Sequence, residues 1–330
     1  MPSLVTHELC ASDALKQCPD GLVKRAILNY PEAYAIGSSG PDLFFFYRVI
    51  PFLKQTGHQQ MYQFAEFLHN HHVNDVFAQV LQSCQEQKNE ERISYLAGWL
   101  CHYALDRVAH PYIMYRTGFG TEQDSNDHRR MEAMIDSLLI KKRFQGGVRD
   151  KRPYMIISQT KTLAASIHAL YQPIAQQFCQ LDLTEPMVQQ ALADMRLLYR
   201  ILYDPAGWKF AVLKRMERAP YAFTGSIIKQ RFTDQDEEAD VLNLKKRAWK
   251  HPCDETIVST ETFFALYDQG MHSAVWFLTQ LSRYLEGADI LQTILNEIDD
   301  RAYDSGMKNT MPLKYYDLIY GRRESDDTII

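Results

Sequence analysis

Apolar residues recur at intervals of three and four along most of the chain, the spacing that turns one face of an α-helix toward a core. Stretches of alternating β-branched residues, which indicate strands, are nearly absent. Proline and glycine fall mostly between the periodic segments. The pattern predicts an all-α protein with helices at 8–18, 21–30, 59–70, 91–116, 127–144, 157–180, 186–203, 256–286 and 288–302.

Two triplets of metal-binding residue types lie within residues 100–139, spaced H-x3-D-x3-H and H-x3-E-x3-D. They are His102, Asp106 and His110, then His128, Glu132 and Asp136. Because side chains four residues apart lie about 40° apart around a helix axis, each triplet follows one helical face. Imidazole nitrogens and carboxylate oxygens are ligands of zinc and related metals. Two such faces turned inward would form a metal site in a helical bundle.

Ordinary packing is the alternative interpretation of these residues. A single buried histidine is usually hydrogen-bonded to a neighbour, and a single helical aspartate is usually solvated. Asp106, however, lies among apolar and aromatic residues, where an unpaired carboxylate is costly. The adjacent Arg107 does not face Asp106, because residues one apart point away from each other on a helix. Histidines one turn before and one turn after Asp106 therefore favour a shared cation.

Composition limits the classes of function. A chain of 330 residues can bury a large core, as one domain or two. The net charge of −5 argues against nucleic acid held by bulk electrostatics. No apolar run reaches the length of about 18 residues that indicates a membrane span. We see no secretion signal at the amino terminus, so the six cysteines are expected to be reduced thiols in the cytoplasm.

Asp42 ends a glycine-rich turn and is followed by the aromatic run 44–47. It could cap the next segment, or it could act as a general base at the mouth of a pocket. Taken alone, His7 favours a capping or surface role. His58 begins a predicted helix, and His69 lies with two further histidines at the end of that helix. There histidine interacts favourably with the helix dipole, so we interpret His69 as structural.

Together these residues resemble the zinc-dependent phospholipase C family, and within it bacterial homologues that are not secreted. Related single-strand nucleases have a similar three-zinc cluster. The resembling segments keep the family's order over about residues 1–145, and the H-x3-D-x3-H-P-Y segment is the most specific. They are Thr6-His7, the segment from Gly37 to Asp42, Gly57-His58, the segment from Cys101 to Tyr112 and the segment from Asp127 to Asp136.

The resemblance implies a helical bundle around as many as three zinc ions. It assigns His102 and Asp106 to the first ion, together with a histidine of the preceding helix. It assigns His7 to the third ion, with Asp106 as a bridge. The second ion is assigned to His110, His128 and Glu132. In the family the amino-terminal residue completes the third site, and whether the amine of Pro2 does so here is open.

One position departs from the family pattern. Homologues often carry Gly-His-x-x-His, and Met61 stands here at the place of the second histidine. We assign the missing ligand of the first zinc to His58. The alternative is that His58 supports the site from outside, with His69 or a water as the ligand. Asp42 matches the aspartate that serves as general base in the family.

These assignments divide the chain into two regions. Residues 1–147 are expected to form the phospholipase C-like metal-binding domain. Residues 148–330 carry no comparable motif, and we expect an additional helical region that packs on the first domain or belongs to the same fold unit.

The predicted function is zinc-dependent hydrolysis of a phosphoester, most closely that of a phospholipase C. Zinc would lower the pKa of a bound water, and Asp42 would take its proton during attack on phosphorus. The expected substrate is a phospholipid or another phosphoester. The aromatic run 44–47 either receives acyl chains or a cationic head group, or belongs to the core.

Two alternatives remain open. The first is a nuclease or phosphomonoesterase with the same cluster, although the acidic balance does not favour nucleic acid. The second is a metal-stabilised helical protein that binds a lipid or a partner without turnover. Met61 and the carboxyl half without motifs support the second alternative.

Overall fold

A computed structural model describes residues 4–50, 55–216, 224–233, 238–308 and 311–320. The chain is mainly α-helical there, which confirms the predicted all-α class. Its α-helices are α1 (Leu4–Gln17), α2 (Leu22–Asn29), α3 (Pro31–Gly37), α4 (His58–Asn70), α5 (Val73–Gln87), α6 (Glu90–Thr117), α7 (Glu122–Arg143), α8 (Lys161–Cys179), α9 (Glu185–Leu202), α10 (Trp208–Met216), α11 (Phe263–Leu285) and α12 (Leu291–Ile298). Short 3₁₀ helices cover Gly40–Phe46, Gly147–Arg149, Pro153–Met155 and Thr224–Ser226.

Four short strands form two small sheets in the carboxyl half. β1 (Tyr203–Asp204) pairs in parallel with β2 (Ile228–Lys229), and β3 (Trp249–His251) pairs antiparallel with β4 (Asp254–Ser259). The predicted helix at 256–286 is therefore wrong over its first four residues, which belong to β4. These residues include a β-branched run that suits a strand.

Two helices begin earlier than the apolar pattern predicts. α1 begins at Leu4 and includes His7. α7 begins at Glu122 because Thr121 and Asp124 form a capping box: the Asp124 backbone N–H donates to the Thr121 hydroxyl at 3.1 Å, and the Thr121 N–H donates to Asp124 Oδ2 at 2.8 Å. This earlier start places His128 inside a formed helix rather than at its fraying end.

The helix α6 lies at the centre of the fold and is buried along most of its length. It packs against α2, α3 and α11, and the contact with α3 brings two backbones together. A Cβ on Gly98 would lie 2.3 Å from the Tyr34 carbonyl oxygen, and a Cβ on Gly37 would lie 2.1 Å from the Tyr95 carbonyl oxygen. Both positions therefore require glycine for α3 and α6 to approach this closely.

Aromatic side chains from beyond residue 147 pack directly on α6. The Tyr171 ring stacks on Trp99 at 4.5 Å between centroids, and the Tyr303 ring lies 4.8 Å from Tyr103. The Tyr303 hydroxyl also accepts a hydrogen bond from the Trp99 indole N–H at 2.8 Å. The core is continuous across the predicted boundary at 147, and the division into two regions stays a prediction.

Within the described ranges, no helix combines the length and the apolar character that a membrane crossing needs.

Candidate metal centre

Three groups of His, Asp and Glu side chains have their ligand atoms within 4.8 Å of one another, and nearly all of these side chains are buried. The groups are His7, His102 and Asp106; Asp42, His69 and His102; and His110, His128 and Glu132. His102 belongs to two groups. The structure therefore brings five of the six triplet residues together, and Asp136 is the exception. His7, Asp42 and His69 join them from three other elements.

Asp106 lies between three imidazoles. Its Oδ1 is 3.0 Å from His7 Nε2, and its Oδ2 is 2.9 Å from His102 Nε2. His110 Nε2 lies 3.7 Å from Oδ1. Asp106 and two of the imidazoles come from one face of α6, as the spacing predicts, and His7 comes from α1.

His128 and Glu132 of α7 lie beside His110, the last residue of the first triplet. Glu132 Oε1 lies 3.1 Å from His128 Nε2, one helical turn before it, and 3.4 Å from His110 Nε2. A single carboxylate oxygen thus faces imidazoles from two helices, which is the geometry expected when all three side chains share a cation.

Asp42 reaches the centre from the 3₁₀ helix Gly40–Phe46. Gly40 makes this approach possible because its φ is +50° and a Cβ there would lie 2.4 Å from His102 Cδ2. Asp42 Oδ1 is 2.9 Å from His69 Nε2, and Oδ2 is 3.7 Å from His102 Nε2. Asp42 is therefore buried beside two imidazoles.

His69, which the sequence favours as structural, is the histidine that α4 brings to the centre. Its Nδ1 lies 2.7 Å from the Ala65 carbonyl oxygen. A backbone carbonyl at this distance fixes Nδ1 as the protonated nitrogen and leaves Nε2 to face Asp42. A sequence signal for this existed: the buried stripe Met61, Ala65 and Leu68 extends at helical spacing to His69.

His58, which the sequence analysis assigned as a ligand, lies outside the three groups. It is half-buried at the start of α4, and its Nδ1 lies 2.7 Å from the Tyr47 carbonyl oxygen. Met61 is fully buried in the core. The amine of Pro2 falls outside the described residues.

Several buried polar atoms at the centre have no hydrogen-bond partner among the described residues. They are His7 Nδ1, Asp42 Oδ2, both ring nitrogens of His102, Asp106 Oδ2, His110 Nδ1 and Glu132 Oε2. Buried polar atoms are nearly always satisfied, so a concentration of orphaned oxygens and nitrogens needs an explanation. A set of cations bound between these atoms would satisfy most of them, and the donor types are those that zinc prefers.

The charges at the centre stabilise one another. Burial raises the pKa of Asp106, but its interactions with His102, His110 and His7 outweigh this and lower it. Burial lowers the pKa of His110, but the Asp106 charge and the Glu132 hydrogen bond outweigh this and raise it to about 10. In the protein without metal, protons on imidazoles thus compensate the carboxylates. A metal ion would replace those protons.

Burial and nearby carboxylates also oppose each other at His69 and His102, and the pKa shifts in opposite directions at these two residues. Burial lowers the pKa of His69, but the hydrogen bond and charge of Asp42 outweigh it and raise the pKa to about 9. For His102, burial outweighs the charges of Asp106 and Asp42, and the pKa is lowered. His102 is therefore held neutral, the form in which an imidazole binds a metal.

Asp136, the last member of the second triplet, has a different role. It lies on α7 one turn after Glu132 and accepts hydrogen bonds from the backbone N–H groups of Val5 at 3.2 Å and Thr6 at 2.7 Å. The Thr6 hydroxyl donates to it as well, at 2.7 Å. Asp136 thereby caps the first turn of α1 and fixes His7 relative to α7.

A cavity of about 350 Å³ leads to the centre. Asp42, His69, His110 and His128 lie in its wall. Of the aromatic run, Phe45 also lines the cavity, whereas the other three side chains are buried in the core. Most of the aromatic run therefore belongs to the core, the second of the two roles that the sequence leaves open.

Comparison with known proteins gives one match. A family model described as zinc-dependent phospholipase C matches residues 6–187, more than half of the 330-residue chain. The matched range contains all the residues of the three groups. No curated protein and no solved structure matches the chain.

Replacing Asp136 with asparagine should destabilise the protein, because buried N–H groups of α1 lose a charged acceptor. We expect the free energy of unfolding to fall by about 2 kcal/mol. Thr6→Val is the matched control: it removes only the hydroxyl donor and should cost about 1 kcal/mol. Urea unfolding in excess zinc measures both, and an Asp136→Asn protein as stable as the wild type would contradict the capping role.

Proposed function

Since the chain belongs to the zinc-dependent phospholipase C family, we propose that it hydrolyses phosphoesters, with phospholipids as the first class of substrate to test. The observation that carries this proposal is the convergence of the three ligand groups beside one cavity, whose wall includes Asp42 and His69 of one group and His110 and His128 of another. A substrate phosphoryl group in that cavity would lie beside two candidate cation sites. The cytoplasmic location stays a prediction.

We assign the groups to as many as three zinc ions. His69 and His102 would hold the first beside Asp42, with Asp106 shared between it and a third ion bound by His7. The second ion would lie between His110, His128 and Glu132. His69 takes the place that the sequence analysis gave to His58, because its Nε2 faces Asp42 and His102, whereas His58 Nδ1 faces a backbone carbonyl.

Zinc bound in these groups would supply positive charge to the phosphoryl oxygens and lower the pKa of water. Asp42 is suited to take a proton from that water, because it lies in the cavity wall and its Oδ2 is buried without a hydrogen-bond partner. His69 is in turn oriented by the Ala65 carbonyl oxygen. Phe45 and Tyr62 give the cavity an apolar wall for the part of the substrate that does not react.

The alternatives from the sequence stay predictions. A nuclease or phosphomonoesterase would use the same groups with a different substrate in the cavity. A non-catalytic lipid-binding or partner-binding protein would hold the metal without turnover.

Removal of zinc should abolish hydrolysis and lower the melting temperature, because the free energy of metal binding stabilises the folded state. Metal content by atomic emission, thermal unfolding and hydrolysis of a chromogenic phosphodiester, each with and without chelator, measure this. Unchanged melting temperature and activity after chelation would contradict the metal-dependent hydrolase. Bound zinc without hydrolysis of a phospholipid, a phosphomonoester or single-stranded DNA would favour the non-catalytic alternative.

His69→Ala should weaken binding of one zinc ion by about 100-fold or more, because a ligand and its fixed orientation are lost together. His58→Ala is the control from the same helix and should leave zinc stoichiometry and affinity unchanged. Competition with a chromophoric chelator measures both variants. If His58→Ala loses the metal and His69→Ala keeps it, His58 is the ligand.

Asp42→Asn should reduce turnover by about 10²- to 10⁴-fold, because the amide cannot accept the proton. Zinc content should stay at the wild-type level, since the amide oxygen can still face the same neighbours. Loss of one zinc ion in this variant would show instead that Asp42 acts chiefly as a ligand.

A further inference from the structure

Arg129 lines the same cavity as the metal-binding groups. It follows His128 on α7 and is half-buried. Its guanidinium donates a hydrogen bond to the neutral side chain of Asn126. Among the described residues, no carboxylate lies at ion-pair distance from it.

Other arginines of the chain differ in this respect. Several are matched with a carboxylate: Arg25 with Glu90, Arg107 with Glu297, Arg116 with Asp317 and Arg143 with Asp13. A guanidinium that loses water without gaining an anion is unfavourable. Arg129 is thus a cation in the cavity wall without an ion-pair partner among the described residues, although the charges of Glu132 and Glu122 act on it from a greater distance.

The acidic side chains in the cavity wall already have partners: Asp42 lies at His69, Asp124 caps α7, and Asp304 and Glu66 are bonded as well. Asp304 Oδ2 accepts a hydrogen bond from the Asn70 amide at 2.9 Å, and its Oδ1 lies 3.7 Å from His110 Nδ1. Glu66 shares a hydrogen bond with the Tyr62 hydroxyl. Neither carboxylate is therefore left over to compensate Arg129.

The guanidinium of arginine is well suited to bind a phosphate group. It remains charged at all working pH values, and its planar fork matches two oxygens of a phosphate at once. Arg129 lies in the wall that also carries His110 and His128, so one bound molecule can meet both the metal-binding groups and the guanidinium.

We propose that Arg129 binds an anionic phosphate oxygen of the substrate that the metal ions do not neutralise. This proposal rests on the proposed function and narrows its substrate class to phosphoesters with an additional negative charge. The charge has two possible sources: the extra ionised oxygen of a phosphomonoester, or a phosphate carried by the head group of a phosphodiester. A zwitterionic diester such as a choline phospholipid does not satisfy Arg129.

The test compares three soluble short-chain lipids with the zinc-loaded full chain: dihexanoyl phosphatidylcholine, phosphatidic acid and phosphatidylinositol 4-phosphate. Arg129→Gln should reduce kcat/KM for the anionic substrate by about 10- to 100-fold, the value of a charged hydrogen-bonded pair. It should change kcat/KM for the choline lipid by less than about threefold. Which of the two anionic lipids loses more identifies the source of the charge.

Two matched variants separate charge from packing. Arg129→Lys keeps the charge but loses the fork, and should recover part of the activity on the anionic substrate. Arg130→Gln changes the next residue, whose guanidinium lies 4.2 Å from the centroid of the Tyr320 ring, and should leave the ratio between the substrates unchanged. Equal loss on all three lipids, or no loss on any, would overturn the proposal.

Binding of inorganic phosphate gives a readout that does not depend on turnover. Calorimetric titration of the zinc-loaded protein should show phosphate binding about tenfold weaker in Arg129→Gln than in the wild type. If the wild type hydrolyses none of the lipids, the proposed function fails, while this titration still tests Arg129. Equal phosphate affinity in the two proteins would then overturn the anion site by itself.

Discussion

The buried carboxylate of Asp106 is the constraint on which the site depends. It lies in the centre of the fold, where a lone negative charge is strongly unfavourable, so positive charge must surround it. His110 meets this requirement from its own helix and His7 meets it from α1, while the His102 Nε2 lies 2.9 Å from Asp106 Oδ2. The requirement therefore links the amino-terminal helix to the central helix, and α7 joins them through Asp136.

Close backbone packing gives this arrangement its precision. α6 can carry ligands at its centre because α3 approaches it without side chains at Gly37 and Gly98. Gly40 then lets the following 3₁₀ helix pass beside the His102 ring and present Asp42. The geometry of the candidate centre thus depends on positions with no side chain as much as on the ligands themselves, since a displaced α3 would move Asp42 away from His69.

Local spacing made part of this site predictable. The helix period alone places His102, Asp106 and His110 on one face, and it does the same for His128 and Glu132. For His69 the spacing indicates only that it continues the apolar face of α4, because its role depends on the contact between α4 and the 3₁₀ helix, which no short-range pattern records. The same reason explains Arg129: a charge on a helix looks solvated in sequence, and its missing partner becomes visible only when the cavity is formed.

Errors in the predicted elements have related causes. Helix α5 was omitted although its buried residues have helical spacing, and the strand β4 was absorbed into a helix because its short β-branched run adjoins a long apolar stretch. The early start of α1 was missed because its first turn is capped by Asp136, a residue 131 positions away from Val5. A contact between distant segments thus decided the start of α1, whereas α5 and β4 carried local signals.

Tyr303 shows how far the site depends on the carboxyl half. Its ring lies 4.9 Å from that of His69 and 5.7 Å from that of His102, and its backbone N–H donates to the His69 carbonyl oxygen at 2.9 Å. The matched family range ends at residue 187 and includes both histidines. A chain shortened to that range would keep every candidate ligand and lose the aromatic ring that supports two of them, so part of the support for the ligand set is encoded in the other half of the polypeptide.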